Sequence, residues 1–144
     1  MRFSPSPAAC VAAVAVLFCS VTLAQNNTQA PPGSIMTHVV QVGDANGSLR
    51  FYPAELKGVK AGHMVQFHFW PKSHSVAQSS FDNPCQPLKG NNGVQGFWSG
   101  MMPVAPESKV MPIFSILVND TNPIWYYCAT GRHCQSGMTG VINP

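Results

Sequence analysis

Met64-Val65-Gln66-Phe67-His68-Phe69-Trp70 is the strongest strand signal in the chain, a run of apolar and aromatic residues entered through the turn residues Ala61-Gly62 and stopped by Pro71. Working outward, Met36-Thr37-His38-Val39-Val40-Gln41-Val42 alternates with the period of two expected of a half-buried strand, and Gly43-Asp44-Ala45-Asn46-Gly47 closes it with turn residues. Leu49 to Tyr52 reads as a short strand ended by Pro53, and Ser75 to Gln78 as another. Ile113 to Val118 and Ile124 to Cys128 are two further strands separated by Asn119-Asp120-Thr121-Asn122-Pro123, and Thr139 to Asn143 closes the chain. The stretch from about Ser80 to Pro112 holds five prolines and four of the glycines, and a loop of that length in a small domain is expected to cover something or to act. Six or seven short strands at this spacing predict an all-β, two-sheet sandwich.

Composition agrees. The chain has 144 residues, 45% hydrophobic and 9% charged, which suits one compact domain rather than a charged disordered tail. Thirteen Pro and twelve Gly disfavour long helices, because proline interrupts helical hydrogen bonding and glycine supplies turn geometries. A formal charge of +3 is too small and too scattered for the basic track that nucleic acid requires.

The first residues look like an export signal. Arg2 precedes an uncharged, Ala-rich stretch from Ala8 to Ala24 that ends in small residues, so residues 1–24 are expected to be a signal peptide cleaved before Gln25. A membrane anchor is the competing reading, but the stretch is shorter than the ~20 residues a span needs. Residues 25–34 are expected to be a flexible leader and 35–144 the domain. The C-terminus lacks the hydrophobic tail of a lipid-anchor signal, so the mature chain is expected to be soluble, without a membrane anchor, and secreted. Asn26, Asn46 and Asn119 begin Asn-x-Ser/Thr sequons, and each is a candidate for N-glycosylation.

Cleavage also decides the cysteine arithmetic. It removes Cys10 and Cys19 and leaves Cys85, Cys128 and Cys134 in an oxidising compartment. Two can pair. The third is buried and inert, bridges to another molecule, or is held by a metal.

The segment from Tyr126 to Met138 spaces Cys128, His133 and Met138 as Cys-x4-His-x4-Met on a glycine-containing loop between strands. One thiolate, one imidazole and one thioether form the ligand set that suits copper in both oxidation states, provided a second imidazole completes it. His74, just after the Met64–Trp70 strand, is the best candidate for that imidazole. His68 sits within an aromatic strand run and reads as a packed or outward strand residue, while His63 and His38 read as surface histidines. Met138 alone would be read as a core residue. A tetrahedral zinc site built from His74, Cys128, His133 and Cys134 is the competing metal reading, with poor spacing because His133 and Cys134 are adjacent.

At this point the sequence resembles the small secreted cupredoxins, most closely the phytocyanin-like cupredoxins of fungi. The resemblance rests on His38 to Gly43, on His74 to Cys85, on Gly96-Phe97-Trp98-Ser99-Gly100, and on Pro123 to Cys128 with His133-Cys134 and Gly137-Met138. It implies a Greek-key β-sandwich holding one type 1 copper through His74, Cys128, His133 and an axial Met138, and a Cys85–Cys134 disulfide that ties the Pro-rich middle to the ligand loop. Many members carry Asn before the first ligand histidine as a brace between loops; here Ser73 stands there. The turn before the strong strand reads Gly62-His63 where Gly-Asp is frequent. The resemblance further implies that His133 is the electron port, with apolar neighbours as a docking face.

The functional expectation is single-electron transfer by a monomeric, non-enzymatic protein to or from a redox partner or a small molecule. The alternative is an extracellular copper-binding protein for acquisition, buffering or surface interaction. Neither a second copper set nor a nucleophile–base arrangement is visible in the sequence.

Overall fold

The computed structural model describes residues 34–90 and 95–144. The residues expected to be a signal peptide, all but the last residue of the expected leader, and Asn26 lie outside the described residues. One sheet has four strands in the order β2 (Phe51–Tyr52), β1 (Thr37–Val42), β4 (Met64–Phe69), β8 (Ile113–Leu117). A second runs β3 (Glu55–Leu56), β10 (Thr139–Ile142), β9 (Ile124–Tyr127), β6 (Ala77–Ser79), and a two-stranded ribbon joins β5 (Lys72–His74) to β7 (Met102–Val104). The expected all-β, two-sheet sandwich is the architecture observed.

The period of two explains the layering. In β4, Val65, Phe67 and Phe69 are buried while Gln66 and His68 are half-buried. Parallel pairing with β1 sets Val40 beside Phe67 and Val42 beside Phe69, so both strands turn their apolar side inward. Across the core, Tyr126 of β9 meets Phe51 and Phe67 edge-on, with ring centroids 4.9 and 5.1 Å apart. Val118, Met138 and Ile142 complete the same cluster.

The structure corrects the strand reading in three places. The stretch read as Ser75–Gln78 is two strands, β5 before it and β6 at its end, because the chain leaves one sheet and joins another around Ser75 and Val76. Strand β3 is two residues long, too short to show any period. Strand β7 contains Pro103, which reads as a breaker; it is tolerated because the ribbon has only two strands, both of them edges. At Leu88 and from Phe97 to Ser99, the loop expected between residues 80 and 112 is folded back on the β6 segment. The Leu88 amide donates to the Gln78 carbonyl, the Gln78 amide to that of Phe97 and the Ser99 amide to that of Val76, at 2.8, 2.9 and 2.9 Å. The Cys85–Cys134 disulfide, S–S 2.03 Å, fastens this segment to the loop after β9.

Phe67 stands where both sheets and three aromatic rings meet. Phe67→Ala should destabilise the chain by about 3–5 kcal/mol, read as a lower denaturant midpoint at unchanged slope.

Candidate metal centre

Two chain segments converge at one end of the sandwich. The first is the β5–β6 crossing, where His74 ends β5 fully buried. The second is the loop from β9 to β10, which begins at Cys128 and ends at Met138, both also fully buried. Backbone hydrogen bonds close this loop: the Met138 amide donates to the His133 carbonyl at 3.0 Å and the Cys128 amide to the Met138 carbonyl at 3.1 Å. The loop therefore returns to its start, which is how a Cys-x4-His-x4-Met spacing brings three residues to one place.

His74, Cys128 and His133 each offer a donor atom, and these atoms all lie within 4.8 Å of one another. The Cys128 sulfur is 3.4 Å from Nδ1 of His133, and the two imidazole rings are 5.2 Å apart between centroids. Of these side chains, His133 alone is partly open to solvent. Met138 joins them through the backbone bonds just given.

The electrostatics suit a cation rather than a proton. Neither ring nitrogen of His74 makes a hydrogen bond of good geometry, although the residue is fully buried and the Pro71 carbonyl lies close enough to act on the ring. A buried imidazole without one is costly, and a metal bond is one way to satisfy it. Burial, then the charge on His133, push the His74 pKa down to about 4; the Pro71 carbonyl opposes this and Lys72 adds to it. Burial and Lys72 also lower the His133 pKa. Both rings are thus kept neutral, the form that ligates. Gly43 abuts the His74 ring, where a Cβ would stand 2.8 Å from Nε2, so a larger residue there would displace the ring.

The brace between the two segments is Ser75, not Ser73. The Ser75 amide donates to the Cys128 sulfur at 3.3 Å, and the Ser75 hydroxyl accepts from the Ala129 amide at 2.8 Å. Ser73 instead pairs with Pro103 in the ribbon. Sequence reasoning missed both Ser75 and Gly43; the only signal for each was its position, next to a ligand candidate and in the turn after β1.

The remaining candidates separate cleanly. Cys134 is in the disulfide and holds no thiol, which removes the two-cysteine zinc reading. Cys128 is the free cysteine among the described residues. His68 contacts Gln66 at 3.2 Å on its own strand. His38 and His63, read as surface residues, are half-buried and contact each other, Nε2 to Nδ1, at 2.9 Å. Asn46 is exposed in a turn and Asn119 is exposed in the loop after β8.

The residues present fit copper. Thiolate, two imidazoles and a thioether are the soft and borderline donors that copper takes in either oxidation state, and the His74 ring, without a well-formed hydrogen bond, supplies an open donor.

No family model matches the chain. It is 34% identical over 111 residues to an "Extracellular serine-rich protein" of Arthroderma benhamiae, covering 77% of this chain and 41% of that one. It is 33% identical over 99 residues to "Probable GPI-anchored cupredoxin-1" of the same fungus, covering 69% and 47%. The chain therefore spans less than half the length of these curated relatives. Among solved structures it superposes on reduced auracyanin from Roseiflexus castenholzii with TM-score 0.51 at 16% identity, over 76% of this chain and 97% of that one. A purple cupredoxin from Nitrosopumilus maritimus gives TM-score 0.51 at 15% identity, over 72% and 95%. These structural likenesses show the fold.

Two outcomes follow from the site's geometry. Ser75→Ala leaves the Ala129 amide without its acceptor and should cost about 1–3 kcal/mol in the metal-free protein, measured by denaturation. The lowered His74 pKa means that the unfolded chain binds the extra proton between its ordinary 6.5 and about 4. Metal-free stability should therefore fall as pH drops through that window, with a shallower slope in His74→Gln; an equal slope in the variant would contradict the assignment.

Proposed function

We propose that this chain, cupredoxin-like in fold and in sequence, is a secreted electron carrier that would hold one type 1 copper through His74, Cys128, His133 and Met138. The observation that carries the reading is the grouping of one free, buried thiol and two imidazoles, one of them fully buried without a well-formed hydrogen bond. Copper bound there supplies reversible one-electron chemistry.

The chain's own residues do the rest. Cys128 offers a thiolate that also accepts the Ser75 N–H, which disperses its charge. Burial excludes water from His74, Cys128 and Met138. The hydrogen bonds within the 128–138 loop and the disulfide at Cys134 hold the donors in one arrangement, and little rearrangement is what rapid electron exchange requires. His133, half-buried, is the ring through which an electron enters or leaves. The reading includes action as a monomer, export after cleavage at Ala24, and glycans on the exposed Asn46 and Asn119, with Asn26 a further sequon. A role in copper acquisition or buffering would not need so fixed a geometry.

Loading the purified protein with Cu(II) should give one copper per chain and an intense visible absorption band, abolished in Cys128→Ala. A colourless protein that retains zinc in its place would refute the reading. Met138→Gln should keep the colour and lower the reduction potential by voltammetry, because a harder oxygen donor favours Cu(II); an unchanged or higher potential would remove Met138 from the ligand set.

A further inference from the structure

On the outer side of the second sheet, beside the metal-binding end, lies a cavity of about 390 Å³. That is within the ~300–1,000 Å³ of small-molecule sites and is enough for a single-ring occupant. Its walls include Leu88, Phe97, Trp98 and Tyr127, with Ala77 and Ala129 between them. Tyr127 and Ala129 flank Cys128 in the chain. Successive residues of a strand end point to opposite sides, so the cavity and the Cys128 sulfur stand back to back across one stretch of backbone.

The cavity is built rather than incidental. Ala77 and Tyr127 pack with Cys134 and Cys85, so the disulfide lies under its floor. One wall is the segment that folds back on β6, held by the Leu88 and Gln78 amides. Gly96 lets that wall close: a Cβ there would meet the Cβ atoms of Gln78 and Leu88 at 2.8 and 2.9 Å. Trp98 is left 60% exposed at the mouth, a large flat surface that the fold itself does not cover.

The polar groups lining the cavity decide what fits. Lys89 can only donate. Gln95 adds an amide, and the Tyr127 hydroxyl can also donate. Flat aromatic walls with donors at the edge select a planar ring that carries acceptor oxygens. We infer that this cavity is a binding site for a small aromatic acid or phenolate, its ring against Trp98 and its oxygens toward Lys89 and Gln95.

The inference stands on the cavity alone and does not require copper. It is tested by calorimetric titration of the full chain with 4-hydroxybenzoate, in metal-free and copper-loaded protein. Saturable binding of one molecule per chain is expected in both. Trp98→Ala should weaken it roughly three- to tenfold, the range expected for losing one aromatic contact, and Trp98→Phe should largely preserve it. Lys89→Gln should weaken binding and flatten its dependence on salt, and neutral phenol should bind less tightly than the acid. Absence of saturable binding, equal affinity in Trp98→Ala, or binding of a gluco-oligosaccharide in preference to the acid would overturn the proposal. The colour test of copper loading is independent of this titration, so failure of one does not imply failure of the other.

Discussion

The Ser75 amide donates to the Cys128 sulfur, and the Ala129 amide donates to the Ser75 hydroxyl. These two hydrogen bonds, 3.3 and 2.8 Å long, join segments 53 and 54 residues apart in sequence. Everything at the metal-binding end depends on that clasp. It sets the ribbon carrying His74 against the loop carrying Cys128, His133 and Met138, at the point where the chain passes from β5 to β6. The rest of the sandwich supplies the frame for it. The Phe51–Phe67–Tyr126 aromatic contact fixes the spacing of the sheets, and antiparallel pairing of β9 with β10 fixes both ends of the ligand loop.

The clasp also defines the cost of the site. His74 is buried with neither ring nitrogen in a well-formed hydrogen bond, and a fold selected for stability alone would place an apolar residue there. The surroundings reinforce the arrangement instead of relieving it. Gly43 lies flat against the ring, and burial together with His133 keeps the ring neutral. A donor set held ready in this way is preorganised: the free energy of ordering it is expended when the chain folds, not when the ligand binds. The disulfide extends the same rigidity to the outer surface, where it supports the aromatic cavity behind Cys128.

Much of this was legible in the sequence, for identifiable reasons. Strands β1, β4, β8 and β9 carry either strict alternation or long apolar runs bounded by turn residues, so their periods survive inspection. Strands β3, β5 and β7 have two or three residues each, and in β7 one of them is proline; their existence is decided by partners far away in sequence. The site divides in the same way. Cys128, His133 and Met138 share one loop and one spacing, whereas Ser75, through its amide and hydroxyl, and Gly43, through the absence of a Cβ, act on residues distant in sequence, contacts that no local spacing marks. Ser73 stands where many family members carry a bracing Asn, and the brace found is instead Ser75, in the crossing between β5 and β6. The pairing of Cys85 with Cys134 came from resemblance, since counting alone left the odd cysteine unassigned.

The central claim is that Cys128 is a metal ligand and not an inert buried thiol. X-ray absorption at the copper edge of the Cu(II)-loaded protein tests it most directly. The account predicts one short copper–sulfur contact beside two imidazole nitrogens, with the sulfur contact gone in Cys128→Ala; a first shell of nitrogen and oxygen only in the unaltered protein would contradict it.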